Sequence, residues 1–171
     1  MTRHIALLTL LIAAPACSSP PASPTASTTA PASTPAAAPA AQAPAGRAVE
    51  VTANDTMKFS VTEITATPGE RLSVTLVNVG TTPKFSMGHN WVLLAAGTDP
   101  QAFVVAAAEA VTTDYVPASL KAQVLASSKL LGPKERDTVT FTAPSTPGRY
   151  EFLCSFPGHF QVGMRGVLVV R

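Results

Sequence analysis

From residue 49 to the C-terminus, apolar and polar residues alternate in short runs punctuated by proline and glycine. Alternation at period two is the mark of strands with one face on a core. Residues 49–53 alternate, as do residues 58–64, where Phe59, Val61 or Ile64 are the inward candidates. A Pro68-Gly69 turn leads into residues 71–78, the cleanest run, with Leu72, Val74 and Leu76 on one face. Residues 90–94 read as a short apolar strand, and Trp91, the single tryptophan, reads as a core aromatic. Residues 137–142, 149–153 and 166–170 complete the series, with Pro147-Gly148 as a turn. The alanine-rich stretch 101–115 breaks the alternation, and a short helix is expected over 101–110. The expectation is an all-β domain: a Greek-key β-sandwich of seven to eight strands with one short helical insertion.

The first 47 residues follow no such pattern. Residues 18–46 contain only Ser, Pro, Ala, Thr, Gln and Gly, with seven prolines among 29 positions. Lacking aromatic and branched aliphatic residues, this stretch cannot build a core. Residues 18–47 are therefore assigned to a semi-rigid linker of polyproline character, spanning roughly 90 Å if fully extended. Before it, Arg3-His4, an apolar run over 5–14 and Pro15-Ala16-Cys17 make a signal peptide, residues 1–17. The apolar run is too short for a stable bilayer-spanning helix. Two processing outcomes fit: cleavage after Ala14-Pro15-Ala16, or a bacterial lipoprotein site in which Cys17 becomes the acylated N-terminus. The tether-like stretch that follows favours lipidation of Cys17 and a membrane anchor. Residues 48–171 form the folded domain.

Charge removes one class of function. The domain carries ten acidic residues against ten lysines and arginines, and the net excess of +2 comes from Arg3 and Arg47. Without a basic stripe interleaved with aromatics, nucleic-acid binding is rejected.

The candidate chemistry lies near the C-terminus, in Cys154-Ser-Phe-Pro-Gly-His159-Phe-Gln-Val-Gly-Met164. Upstream stands His89, in Met87-Gly88-His89-Asn90-Trp91. One thiolate, two imidazoles and a thioether are the ligand types of a blue copper site, with the methionine as weak axial ligand. The domain has no other Cys and no other His. An intradomain disulfide is thereby excluded, and so is a second histidine-rich copper centre of the kind a copper oxidase or nitrite reductase needs. The chain is not expected to be an enzyme.

The segments Met87-Gly-His-Asn-Trp-Val-Leu93 and Cys154-x-Phe-Pro-Gly-His159 resemble the two ligand segments of the cupredoxins, and of azurins in particular. The likeness runs over residues 50–171, including Asn54-Asp55 with Met57 and Phe59, Lys129-Leu130 and Lys134-Glu135. It implies one type 1 copper held by His89, Cys154, His159 and Met164, with the Gly88 carbonyl opposite Met164. It further implies that Asn90 hydrogen-bonds across to the Cys154 loop and that the backbone N–H near Phe156 points at the sulfur. The outer ring edge of His159 is expected in an apolar partner patch formed by Met57, Met87, Phe156, Pro157 and Phe160. Four residues separate His159 from Met164, one more than in azurin, and this longer loop resembles the membrane-tethered auracyanins. Azurin's disulfide is absent here. The resemblance implies a monomeric one-electron carrier, working between redox proteins such as c-type cytochromes or membrane oxidoreductases in the bacterial periplasm or at the outer face of the cell envelope. The rival reading is a copper storage or delivery protein without an electron-transfer role.

Overall fold

The computed structural model describes residues 46–171. The expected signal peptide with Cys17, and the expected linker up to residue 45, lie outside the described residues. Among the described residues, eight strands form two sheets. β1 (Arg47–Ala53), β3 (Arg71–Asn78) and β6 (Arg136–Thr142) make a three-stranded sheet of order β1-β3-β6. β2 (Glu63–Ala66), β4 (Val92–Leu94), β5 (Val124–Ser127), β7 (Gly148–Leu153) and β8 (Arg165–Val170) make a five-stranded sheet of order β2-β8-β7-β4-β5. Both sheets are mixed, since β1 runs parallel to β3 and β2 parallel to β8, and the remaining pairs are antiparallel. The expected β-sandwich is present.

The core lies where the inward faces meet. Leu72, Val74 and Leu76 of β3 are fully buried, as the alternation requires. Opposite them, the Phe152 ring lies 5.3 Å from Trp91 and 5.8 Å from Phe59, centroid to centroid, and Trp91 lies 5.9 Å from Phe141. β4 is buried at all three positions because both its faces are covered. Leu93 belongs to the inter-sheet core, while Val92 and Leu94 pack with Phe103, Val104 and Ala107 of helix α2 (Pro100–Ala107). A strand covered on both faces reads as a continuous apolar run, which is how residues 90–94 stood out.

Four local details depart from expectation. Only Glu63–Ala66 of the 58–66 region joins a sheet; Phe59 instead makes an isolated bridge to Ala53, and Val61 is half-buried. The helix starts under an Asp99 cap, whose Oδ1 accepts from the N–H groups of Gln101 (2.9 Å) and Ala102 (3.2 Å). It ends at Ala107 rather than 110, because Glu109 and Ala110 turn back to the Ala106 and Ala107 carbonyls in tighter i to i−3 bonds. β5 and the four-residue helix α1 (Lys84–Met87) carry no clear periodicity and were not expected. Two 3-10 turns, Val111–Thr113 and Ala118–Gln123, fill the long connection to β5.

Candidate metal centre

The sheet register brings the two ligand segments together. β4 and β7 pair antiparallel with Val92 opposite Leu153 and Leu93 opposite Phe152. Continuing that register beyond the ladder sets residues 89–91 beside residues 154–156. There the backbone pairing gives way to side chains. Asn90 Oδ1 accepts from the Ser155 N–H at 2.8 Å, and Asn90 Nδ2 donates to Ser155 Oγ at 2.8 Å and to the Asp114 carbonyl at 2.7 Å. Ser155 Oγ in turn donates to the Tyr115 carbonyl at 2.7 Å. Asp114 and Tyr115 both adopt left-handed backbone, with φ of 55° and 60°, in the stretch that offers these two carbonyls.

His89 enters from the other side through a two-way backbone bridge with Leu131: its N–H donates to the Leu131 carbonyl at 3.1 Å and its carbonyl accepts from Leu131 at 2.8 Å. Gly88 is needed for this approach. A Cβ there would stand 2.7 Å from the Lys84 carbonyl oxygen and 2.9 Å from Leu130 side-chain carbons. The third segment folds on itself. Cys154 N–H donates to the Met164 carbonyl (3.1 Å), Met164 N–H to the His159 carbonyl (3.0 Å), and His159 N–H to the Phe156 carbonyl (3.1 Å). Gly163, at φ +89°, supplies the bend before Met164.

The result is a buried cluster. The ligand atoms of His89, Cys154 and His159 all lie within 4.8 Å of one another, and Cys154 Sγ is 3.4 Å from His159 Nδ1. The imidazole centroids of His89 and His159 are 4.9 Å apart. His89, Cys154 and Met164 are fully buried, and His159 is 2% exposed. Neither ring nitrogen of His89 has a hydrogen-bond partner. A buried imidazole with both nitrogens unpaired calls for a ligand, because such groups in native interiors are otherwise satisfied. A thiolate beside two imidazoles is a donor set suited to copper, and the cluster fits a single type 1 copper site.

The electrostatics are those of a dry pocket. Burial pushes the Cys154 thiol up to about 12, opposed by the smaller effects of the Asn90 and Phe156 backbone N–H groups. Burial, reinforced by neighbouring His89, pulls His159 down to about 4. Burial also lowers His89, against smaller opposing effects of the Asp55 charge and of the nearby Asn54 carbonyl, which does not reach hydrogen-bond geometry with either ring nitrogen. In the metal-free protein both imidazoles are therefore neutral at pH 7 and the thiol keeps its proton.

The other predicted residues fall into place unevenly. Phe156 is buried, with its ring 4.7 Å from that of His159 and 5.1 Å from that of Tyr115. Met57 and Met87 are half-buried and Pro157 is exposed. Phe160 is a correction. It is only 7% exposed because it packs under α2 with Leu153 and Phe103, and the Arg165 guanidinium caps its ring at 5.0 Å. The ring edge of His159 is likewise covered rather than open. Sequence reading missed Phe85 of α1, which is 83% exposed four residues before His89. Its signal was an aromatic stranded between Lys84 and Ser86, in a stretch too short to show a period. Ser155 and the Asp114–Tyr115 carbonyls were missed because an unremarkable serine and a pair of backbone oxygens leave no mark on a sequence.

Comparison with known proteins agrees with this geometry. A family model described as copper binding proteins, plastocyanin/azurin family, matches residues 45–171. Azurin of Pseudomonas chlororaphis is 36% identical over 126 residues, covering 72% of this chain and 97% of that protein. Outer membrane protein H.8 of Neisseria gonorrhoeae is 38% identical over 114 residues, covering 66% of this chain and 61% of that protein. Among solved structures, auracyanin A of Chloroflexus aurantiacus, described as a "blue" copper protein, superposes with a TM-score of 0.65 at 31% identity, covering 73% of this chain and 98% of that chain.

Proposed function

The chain belongs to the plastocyanin/azurin family of copper-binding proteins, and from that premise we propose that it is a blue copper one-electron carrier working outside the plasma membrane. The observation that carries the reading is the buried His89–Cys154–His159 cluster, with ligand atoms within 4.8 Å and both His89 nitrogens unpaired. Copper, when bound, supplies reversible one-electron chemistry between Cu(II) and Cu(I) at a thiolate-imidazole site. His89, Cys154 and His159 would hold it, and buried Met164 and the Gly88 carbonyl would supply weaker donors beside them. The N–H groups of Asn90 and Phe156 stabilise the thiolate, and such hydrogen bonds tune a metal site. Asn90 ties the His89 strand to the Cys154 loop, so the donors move little. The domain transforms no substrate, since both its histidines are committed to this one cluster.

Redox proteins such as c-type cytochromes or membrane oxidoreductases are the proposed partners. Exposed Pro157 and Phe85 and half-buried Met87 supply apolar surface flanking the ligands in the chain, half-buried Met57 adds to the apolar residues available, and small weak interfaces suit such encounters. The signal peptide and the likeness to an outer membrane protein support a place in the cell envelope. Acylation of Cys17 would anchor the domain there, and mass spectrometry of the mature N-terminus distinguishes acylated Cys17 from an unmodified end. The function is tested by titrating the metal-free protein with Cu(II). One equivalent should produce an intense blue or green thiolate charge-transfer band that bleaches and returns through reduction and reoxidation, and Cys154→Ser should abolish it. A colourless protein that takes copper only as Cu(I) would place it with copper storage or delivery instead.

A further inference from the structure

The connection from His159 to Met164 is anchored at its ends and bare in between. Phe160 is 7% exposed and Met164 fully buried. Between them Gln161 is exposed, Val162 is 47% exposed, and Gly163 has no side chain. The backbone bonds of the segment are local: Gly163 N–H donates to the Phe160 carbonyl at 2.9 Å and Val162 N–H to the Gly158 carbonyl at 3.4 Å. One contact reaches it from afar. Lys58 Nζ donates to the Val162 carbonyl across 104 residues of sequence. Among the described residues, no other side chain hydrogen-bonds a carbonyl of residues 160–163.

Lys58 is held in position to do this. Its neighbour Met57 packs against the core in left-handed backbone, at φ 56°. Its other neighbour, Phe59, is buried and bridged to Ala53. With both neighbours turned inward, the Lys58 side chain is directed out over the ligand loop. Gly163 leaves room for it, since a Cβ at that position would lie 3.1 Å from Lys58 Nζ. An ammonium on a carbonyl is a charge-assisted hydrogen bond, stronger than a neutral one. A longer connection is also the one with more conformational freedom to restrain.

We propose that Lys58 is a positioning residue, which pins the Val162 peptide and so fixes where Met164 is presented to the metal. The proposal rests on the reading of Met164 as axial ligand. Lys58→Met keeps the aliphatic stem and removes the donor, whereas Lys58→Arg keeps it. In the metal-free protein, amide hydrogen exchange at Gly163 and Met164 should quicken by about tenfold in Lys58→Met, the loss of one charge-assisted bond, and should stay near wild type in Lys58→Arg. With copper added, the ratio of the two thiolate charge-transfer bands and the reduction potential should shift in Lys58→Met and recover in Lys58→Arg. Unchanged exchange in Lys58→Met overturns the pin. Faster exchange with unchanged bands and potential overturns its link to Met164, as does Lys58→Arg behaving like Lys58→Met. A wild-type protein that forms no coloured copper site refutes the axial assignment, and with it the link to Met164, while the metal-free exchange comparison decides the pin by itself.

Discussion

Removing the Asn90 side chain should cost the fold more than any other polar truncation near the ligands. Asn90→Ala deletes three hydrogen bonds, to the Ser155 N–H (2.8 Å), Ser155 Oγ (2.8 Å) and the Asp114 carbonyl (2.7 Å). At about 1 kcal/mol for each bond the loss is about 3 kcal/mol, and the Ser155 N–H left buried without an acceptor can raise it to about 5 kcal/mol. Against a total stability of about 5–15 kcal/mol this is a large fraction. For a domain of this size, a loss in that range corresponds to a fall in melting temperature of about 10–20 °C. Urea unfolding of the metal-free protein, followed by the fluorescence of the lone Trp91, measures it directly, and the m-value should not change. Ser155→Ala removes two bonds, to Asn90 Nδ2 and to the Tyr115 carbonyl, so it should cost about 2 kcal/mol. The double variant loses four distinct bonds rather than five, leaving a coupling of about 1 kcal/mol in the mutant cycle. A loss below about 1 kcal/mol for Asn90→Ala, or strictly additive variants, would refute the view that this side chain replaces the ladder where β4 and β7 part.

Further outcomes follow from the charge states and the packing. His159 falls from 6.5 to about 4 on folding, so the unfolded chain binds more protons below pH 6.5, and stability of the metal-free protein should drop as pH falls through that range. Cys154 rises from 9.0 to about 12, so above pH 9 the unfolded chain loses a proton that the folded one keeps, and stability should fall again. Chemical denaturation across pH should thus give a plateau between about 6.5 and 9. Copper binding releases the thiol proton, so affinity measured with a competing chelator should rise about tenfold per pH unit near neutrality. The slope should steepen below about pH 4, where His159 must also deprotonate. Gly88→Ala should destabilise by about 1–3 kcal/mol through overpacking, because its Cβ would stand 2.9 Å from Leu130 and 2.7 Å from the Lys84 carbonyl; a neutral effect in urea unfolding would show that α1 yields.

The fold was legible wherever burial is one-sided and periodic. β3 is the clearest case, since Leu72, Val74 and Leu76 alternate and all three are fully buried. The donors were legible for a different reason, a scarcity of ligating residues that left His89, Cys154 and His159 with no competitors in the domain. What stayed hidden depends on three-dimensional context. Residues 58–62 alternate as a strand would, yet Met57 turns left-handed and only Phe59 bridges a neighbour. Phe160 sits beside a ligand in sequence, but its side chain faces α2 rather than solvent, because period-two reasoning does not extend through a loop bent at Gly158 and Gly163. Phe85 illustrates the converse, an aromatic that composition assigns to a core and the fold leaves outside.

These facts bear on why a site of this kind is built at the end of a ladder. Strands fix residues to the sheet register, but a residue inside the ladder has its backbone committed and its side chain confined to one face. One step beyond the ladder, residues keep the register while leaving the β4–β7 backbone pairing, and the Asn90 side chain supplies the cross-link to Ser155 in its place. The arrangement carries a local cost in the metal-free state, two imidazoles kept neutral and one left without any hydrogen bond. That cost belongs to the unliganded site alone, and a metal that binds the folded state and not the unfolded one stabilises it by mass action. Sandwich, Asn90 cross-link and buried donors therefore act in the same direction. The framework holds the donors before the metal arrives, so a change in the metal's charge has little protein structure left to rearrange.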